Sequence, residues 1–330
     1  MVHTLSSTMR PTWIAVALLA LGLAPRPADA QPAPAQPAPA QPAPSQPAPQ
    51  ATPAQPATPQ QKVDALAQAL AKNPKFKKLS PKYLQAVTEF VIGNTLFVML
   101  HELGHAVTNQ LKIPVLGRKE DAADMFAATR LIKFDTDFTD GVLDAAARGW
   151  FMTDRRDTKT GDQVPYYDEH GLDQQRAYQI VCLMVGTGDP KYQALADETK
   201  LPKDRQKSCA GDYADASGSW DAALMPHLRA PDQPKTKIDV VYGEGKGDLD
   251  VIAQGLRSVG LLEAIAERAA SAVAWPEPFT IEAQSCGYLN AAWIPDKHTL
   301  FLCYELAQDF ADLYREYGAT RQSGRTRRSK

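Results

Sequence analysis

The chain has 330 residues, a formal charge of −2 from 36 Lys and Arg against 38 Asp and Glu, and 44% hydrophobic residues. That balance excludes a protein that holds nucleic acid by bulk positive charge, so no nucleic-acid partner is expected. After the N-terminal stretch the sequence reads without a run of membrane-spanning length, so no membrane span is expected once that stretch is removed.

Residues 1–30 read as a signal peptide. Arg10 supplies the positive charge, Trp13 to Ala24 an apolar core, and Ala28-Asp29-Ala30 a small-x-small cleavage site. The expectation is an exported chain, periplasmic or secreted, cleaved after Ala30, with an uncleaved anchor as the alternative. Residues 31–60 repeat Gln-Pro-Ala-Pro-Ala. Proline fixes φ and donates no amide hydrogen, so this segment is expected to be an extended, disordered linker. It serves either as a spacer or as an inert leader. Residues 319–330 form a basic tail, expected to be disordered. Linker and tail are the two parts suited to contact with the cell envelope. The folded domain is expected between them, over 61–318.

Ser80-Pro81 opens a helix as N-cap and first helical residue. Gly93-Asn94 is expected to break or bend it, and a second helix follows over 95–111, ending before Pro114. This second helix is apolar apart from His101, Glu102 and His105. Residues i and i+4 share a helix face, so His101 and His105 can present two imidazole nitrogens to one Zn2+ ion. Glu102 lies beside them as a general base for water. The next helix, over 119–134, places Glu120 and Asp124 on one face with alanines between them. Glu120 is the candidate third ligand and Asp124 the candidate carboxylate behind a ligating histidine, with the reverse assignment open.

His101-Glu102-Leu103-Gly104-His105 followed by Glu120-Asp121-Ala122-Ala123-Asp124 resembles the glutamate-zincin (gluzincin) peptidases with their HExxH motif. The nearest likeness is a bacterial exported family of unknown function known as "putative metallopeptidase". It takes in Asp168 to Arg176, the Cys182 region and Cys286 through Leu306, most of the folded part. It implies a helix-rich α+β fold with a zincin-like core and a small antiparallel sheet. It further implies a single zinc ion, a peptide or protein substrate, and a zinc-dependent metalloendopeptidase that hydrolyses it. In related folds a histidine, tyrosine or arginine downstream of the third ligand supports the oxyanion, which makes His170 the candidate, with Tyr166 and Tyr167 as rivals. Asp173 and Arg176 are expected to pair with each other.

Between 136 and 166 only Val142 to Trp150 reads as helix, and 186–235 shows charged, proline-broken turns without chemistry. Gly243 to Gly247 lacks the spacing of a phosphate loop. Val251 to Ala274 reads as one helix or two. Phe279 to Ala283 and Thr299 to Cys303 read as strands paired around Pro295-Asp296-Lys297, and Tyr304 to Tyr317 as a last helix. Asn290-Ala291-Ala292-Trp293 resembles the cleft strand of thermolysin-like and neprilysin-like peptidases, which implies substrate binding by Asn290 and Ala291. There the strand precedes the metal helix and here it follows, so the resemblance implies a circularly rearranged core. Four cysteines in an exported chain favour two disulfides. Of the three pairings, sequence proximity favours Cys182–Cys209 and Cys286–Cys303. The alternative to an enzyme is a catalytically inactive, zinc-stabilised binding or assembly module of the cell envelope.

Overall fold

The computed structural model describes residues 58–161 and 166–318. The signal peptide 1–30, most of the linker 31–60 and the tail 319–330 lie outside the described residues. The elements in chain order are α1 (Pro59–Leu70), α2 (Pro81–Gln110), α3 (Lys119–Phe134), α4 (Asp137–Thr160), α5 (Asp173–Gly186), α6 (Gln193–Glu198) and α7 (Lys203–Leu224). They continue with β1 (Ile238–Tyr242), α8 (Leu249–Val259), α9 (Leu261–Ala272), β2 (Phe279–Gln284), β3 (Ala291–Ile294), β4 (Thr299–Cys303) and α10 (Tyr304–Tyr317). The fold is α+β and helix-rich.

α2 is the axis of the core. Ser80 caps it, its hydroxyl accepting from the Tyr83 N–H at 3.3 Å. The helix runs 30 residues without the break expected at Gly93-Asn94. Gly93 is instead the contact point with α4: a Cβ there would lie 2.6 Å from Ala145 Cβ. Asn94 is buried and bonds its amide to the Phe90 and Ala145 carbonyls at 2.9 and 3.1 Å. Two residues that signal a turn in isolation therefore dock two helices. α2 has the length and composition of a membrane span, yet its apolar side chains are buried against α1, α3, α4 and α10.

The sheet corrects the expected antiparallel arrangement. Its order is β1-β2-β4-β3, and it is mixed. β1 with β2 and β2 with β4 are parallel, and only β3 with β4 is antiparallel. The turn at Pro295-Asp296-Lys297 therefore joins β3 to β4 rather than β2 to β4. The apolar run of β4 is buried along most of its length, as a central strand requires. β3 is left as an edge.

Other elements exceed their sequence signals. α4 extends well beyond 142–150, because Thr136 forms a capping box with Thr139 and Gly161 ends the helix at φ 79°. Its exposed last turns still find partners, Arg156 bonding both Asp309 oxygens at 2.9 Å. α7 was missed because it buries only Cys209, Ala216, Ser217, Trp220 and Leu224 over its length. Gly260, at φ 64°, divides α8 from α9.

Both favoured disulfides are present. Cys182–Cys209 ties α5 to α7, and Cys286–Cys303 ties the loop after β2 to the end of β4. The Glu305 carboxylate accepts from the N–H groups of Cys286 and Gly287 at 3.0 and 2.7 Å. Disulfide and carboxylate together pin the loop that delivers Asn290 and β3.

Candidate metal centre

The site is assembled where α2, α3 and β3 meet. Gly104 and Ala123 bring α2 and α3 together, since a Cβ on Gly104 would lie 3.2 Å from Ala123 Cα. That approach carries Glu120 and Asp124 to the histidine face. His101 Nε2, His105 Nε2 and Glu120 Oε2 face one another: 3.0 Å from His101 to Glu120, 3.1 Å between the histidines and 3.1 Å from His105 to Glu120. Behind them His101 Nδ1 lies 2.7 Å from Asp124 Oδ1. Arg176 donates to both Asp124 oxygens at 2.7 and 2.8 Å, with its guanidinium stacked 3.7 Å from the Trp150 ring centroid. Burial would raise the Asp124 carboxyl, but Arg176 and His101 hold it well below the usual carboxylate range. The expected Asp173–Arg176 pair is thus replaced by Asp124–Arg176.

This relay fixes what the donors can hold. An ionised Asp124 only accepts, so Nδ1 of His101 must carry a proton towards it. In the neutral imidazole Nε2 is then a lone pair, and it faces a carboxylate oxygen and a second imidazole nitrogen. Acceptors so close require a cation between them. A proton is one answer. Burial opposes it, but Asp124 and Glu120 prevail and push the His101 pKa up to about 9. A metal ion is the other. Two imidazoles and a carboxylate suit a tetrahedral metal of borderline softness, whose ligand atoms stand about 3.3 Å apart at Zn–N distances near 2.0–2.1 Å. The residues present fit a metal ion.

Glu102 sits beside this cluster without joining it. Its Oε1 is 3.9 Å from His101 Nε2, and its Oε2 accepts from the Trp293 N–H at 2.9 Å. Burial pushes its carboxyl up, against the pull of His101, His105 and the Trp293 N–H. His170 approaches from the loop before α5, half exposed, with Nε2 3.0 Å from Glu120 Oε2 and Nδ1 2.9 Å from Asp168 Oδ1. The Glu120 bond, then Asp168, raise its pKa against the opposing effect of burial. A cleft of about 600 Å³ opens over the cluster, with Glu102, His105, Glu120, His170, Asn290 and Ala291 in its lining.

A family model described as "Putative metallopeptidase" matches residues 57–224 and 244–329. The chain belongs to this family. No curated protein and no solved structure matches it.

For a member of this metallopeptidase family the sequence-derived residues are well gathered. His101, His105 and Glu120 supply the converging atoms, and Asp124 stands behind His101 rather than in the cluster. Glu102, His170, Asn290 and Ala291 reach the same cleft. Tyr166 and Tyr167 do not line it and are largely exposed, at 82% and 92%. The sequence reading missed Arg176 as the partner of Asp124 and the Trp293 N–H as the partner of Glu102. It also missed Asn109, whose Oδ1 accepts from Trp293 Nε1 at 3.3 Å. Asn109 had a signal, lying four residues after His105 on the same helix face.

Proposed function

We propose that the chain is an exported, zinc-dependent endopeptidase, with His101, His105 and Glu120 as the ligands of a single ion. The observation that carries this is the three-atom convergence with Glu102 held beside it in an open cleft. Zn2+ bound there would supply a Lewis acid for the scissile carbonyl and make water more acidic. Glu102, anchored through Oε2 by the Trp293 N–H, takes the proton of the attacking water and returns it to the leaving amine. His170, oriented by Asp168, donates from Nε2 to the oxyanion.

The substrate lies along β3. Asn290 bonds inward, its carbonyl accepting from the Cys303 N–H at 2.9 Å, while the Trp293 N–H points outward to Glu102. By the alternation of an antiparallel pair, Ala291 shares the outward direction of Trp293. Its N–H and C=O are then placed to pair with an extended peptide beside Glu102, and Asn290 flanks that edge. An edge strand near the C-terminus beside a metal helix near the N-terminus supports a circularly rearranged zincin-like core. The ends of the folded part also meet, Lys75 bonding Asp312 at 3.3 Å.

The test is Glu102→Gln. It is expected to retain one zinc per chain by elemental analysis while hydrolysis of a quenched peptide library falls about 10²–10⁴-fold. Undiminished hydrolysis sinks the mechanism.

One observation favours a second reading. If His170 Nε2, 3.0 Å from Glu120 Oε2, serves as a fourth ligand, the site is closed in the manner of structural zinc and the chain is a non-hydrolytic module of the envelope. His170→Ala separates the two. As an oxyanion donor His170 is dispensable for zinc affinity but not for turnover, whereas as a ligand its loss weakens zinc binding directly.

A further inference from the structure

Two cationic side chains line the cleft without a partner among the described residues. Lys112 and Lys119 share its wall with Glu102, Glu120 and Asn290. Neither lysine side chain has an ion pair or hydrogen bond among the described residues. The carboxylates of the cleft are already engaged, Glu120 by three histidines and Glu102 by the Trp293 N–H. The wall thus presents two ammonium groups that no carboxylate pairs among the described residues.

Lys112 is held there against the preference of the backbone. It follows the Leu111 cap of α2 at φ 55°. The Ile113 N–H bonds the Thr108 carbonyl at 3.1 Å, the six-to-one bond of a Schellman turn. The left-handed position of that turn is ordinarily glycine, since any Cβ is strained there. A cation near a helix C-terminus is favoured by the helix dipole, yet the last turn of α2 itself carries no basic residue. The charge stands instead at the strained position that faces the cleft.

We propose that Lys112 and Lys119 recognise a carboxylate, so that the cleft selects peptides presenting one beside the bond to be cut. The carboxylate is either an Asp or Glu side chain or a free C-terminus, and the second source would make the chain a carboxypeptidase in place of the endopeptidase proposed above. This rests on the peptidase reading. Ammonium groups lining a cleft strengthen binding of a carboxylate and repel cationic peptides.

Binding is read on the Zn2+-loaded full chain carrying Glu102→Gln, so that bound peptide is not turned over. The probes are fluorescein-labelled decapeptides of Ala, Phe and Leu with one central Glu or Gln, each with a free or an amidated C-terminus. Fluorescence anisotropy at low salt is expected to show about five- to tenfold tighter binding of a carboxylate-bearing peptide than of the neutral one. Lys112→Gly or Lys119→Gln brings that ratio close to one, while Lys207→Gln, at an exposed position of α7, leaves it intact. Preference for Glu over Gln assigns the side chain; preference for the free over the amidated end assigns the terminus. Because glycine relieves the left-handed strain, Lys112→Gly is expected to lose the preference at an unchanged or raised Tm, which separates recognition from folding. Equal binding of all four peptides, a preference that survives both lysine variants, or no binding of any peptide overturns the proposal. Hydrolysis by the chain with Glu102 intact is scored separately. Cleavage with unselective binding removes carboxylate recognition alone, and selective binding without cleavage removes the peptidase reading alone.

Discussion

Asp124 serves the candidate metal site and the core at once. It accepts from His101 Nδ1 and takes the full guanidinium of Arg176, both within the buried interior. Asp124→Asn still offers an oxygen to the imidazole but leaves Arg176 buried without its counter-charge. The expected outcome is a loss of metal affinity of about 10–100-fold, measured by chelator competition, together with a lower Tm by calorimetry. The histidines, Glu102, Glu120 and Asp124 were legible because helix periodicity assigns faces from spacing alone. Arg176 was not, since its partner lies 52 residues away and no local pattern connects them. Asp173 gives a pH test away from the metal. Burial first, then Asp157, push its carboxyl up to about 6 against the pull of Arg176. A folded pKa above the ordinary value of 3.8 means that the native state is weakened once the group ionises, as pH rises through that window. Asp173→Asn is expected to leave Tm unchanged at pH 4 and to raise stability by about 1 kcal/mol above pH 7, allowing for solvent screening. Matched thermal melts at the two pH values check the sign.

Helices α2 and α4 show where local propensity and packing disagree. Gly93 lowers helix propensity, and with Asn94 it reads as a stop. Its Cα instead meets α4 at a distance that leaves no room for a Cβ beside Ala145. Gly93→Ala therefore sets a favourable propensity change of about 1 kcal/mol against overpacking of about 1–3 kcal/mol. The expected net effect is destabilisation, measured as a lower urea midpoint at an unchanged slope. α7 shows the opposite failure. Its weak apolar stripe left no periodic signal, and its helical state depends on Trp220 and Cys209 packing onto α3 and α5. Trp220 donates from Nε1 to the Ala122 carbonyl at 3.2 Å, in the first turns of α3. An element without apparent chemistry thereby supports the helix that carries Glu120.

At the scale of the molecule, the sheet and its disulfide deliver the second wall of the cleft. The chain passes from β2 to the far edge, forms β3, and turns back to lay β4 in the middle. Cys286–Cys303 and Glu305 fix the loop that makes this crossing. Replacing both cysteines by serine is expected to cost about 2–4 kcal/mol of stability. Under the proposed function it should also weaken peptide binding while leaving one zinc per chain, because the proposed metal donors lie on α2 and α3. Loss of zinc together with peptide affinity would show that the two walls are not separable in this way.

The sequence by itself determined the candidate donors His101, His105, Glu120 and Asp124 and the helix faces that present them, and it favoured the two disulfide pairs that form. Each depends on spacing along one element, or on a small number of cysteines. The tertiary structure alone decided the continuous run of α2, the mixed order of the sheet and the pairing of Asp124 with Arg176. It alone brought Trp293 to Glu102, 191 residues apart in sequence. These are set by close packing between distant segments and by the need of buried polar groups for partners, neither of which leaves a periodic trace in the chain.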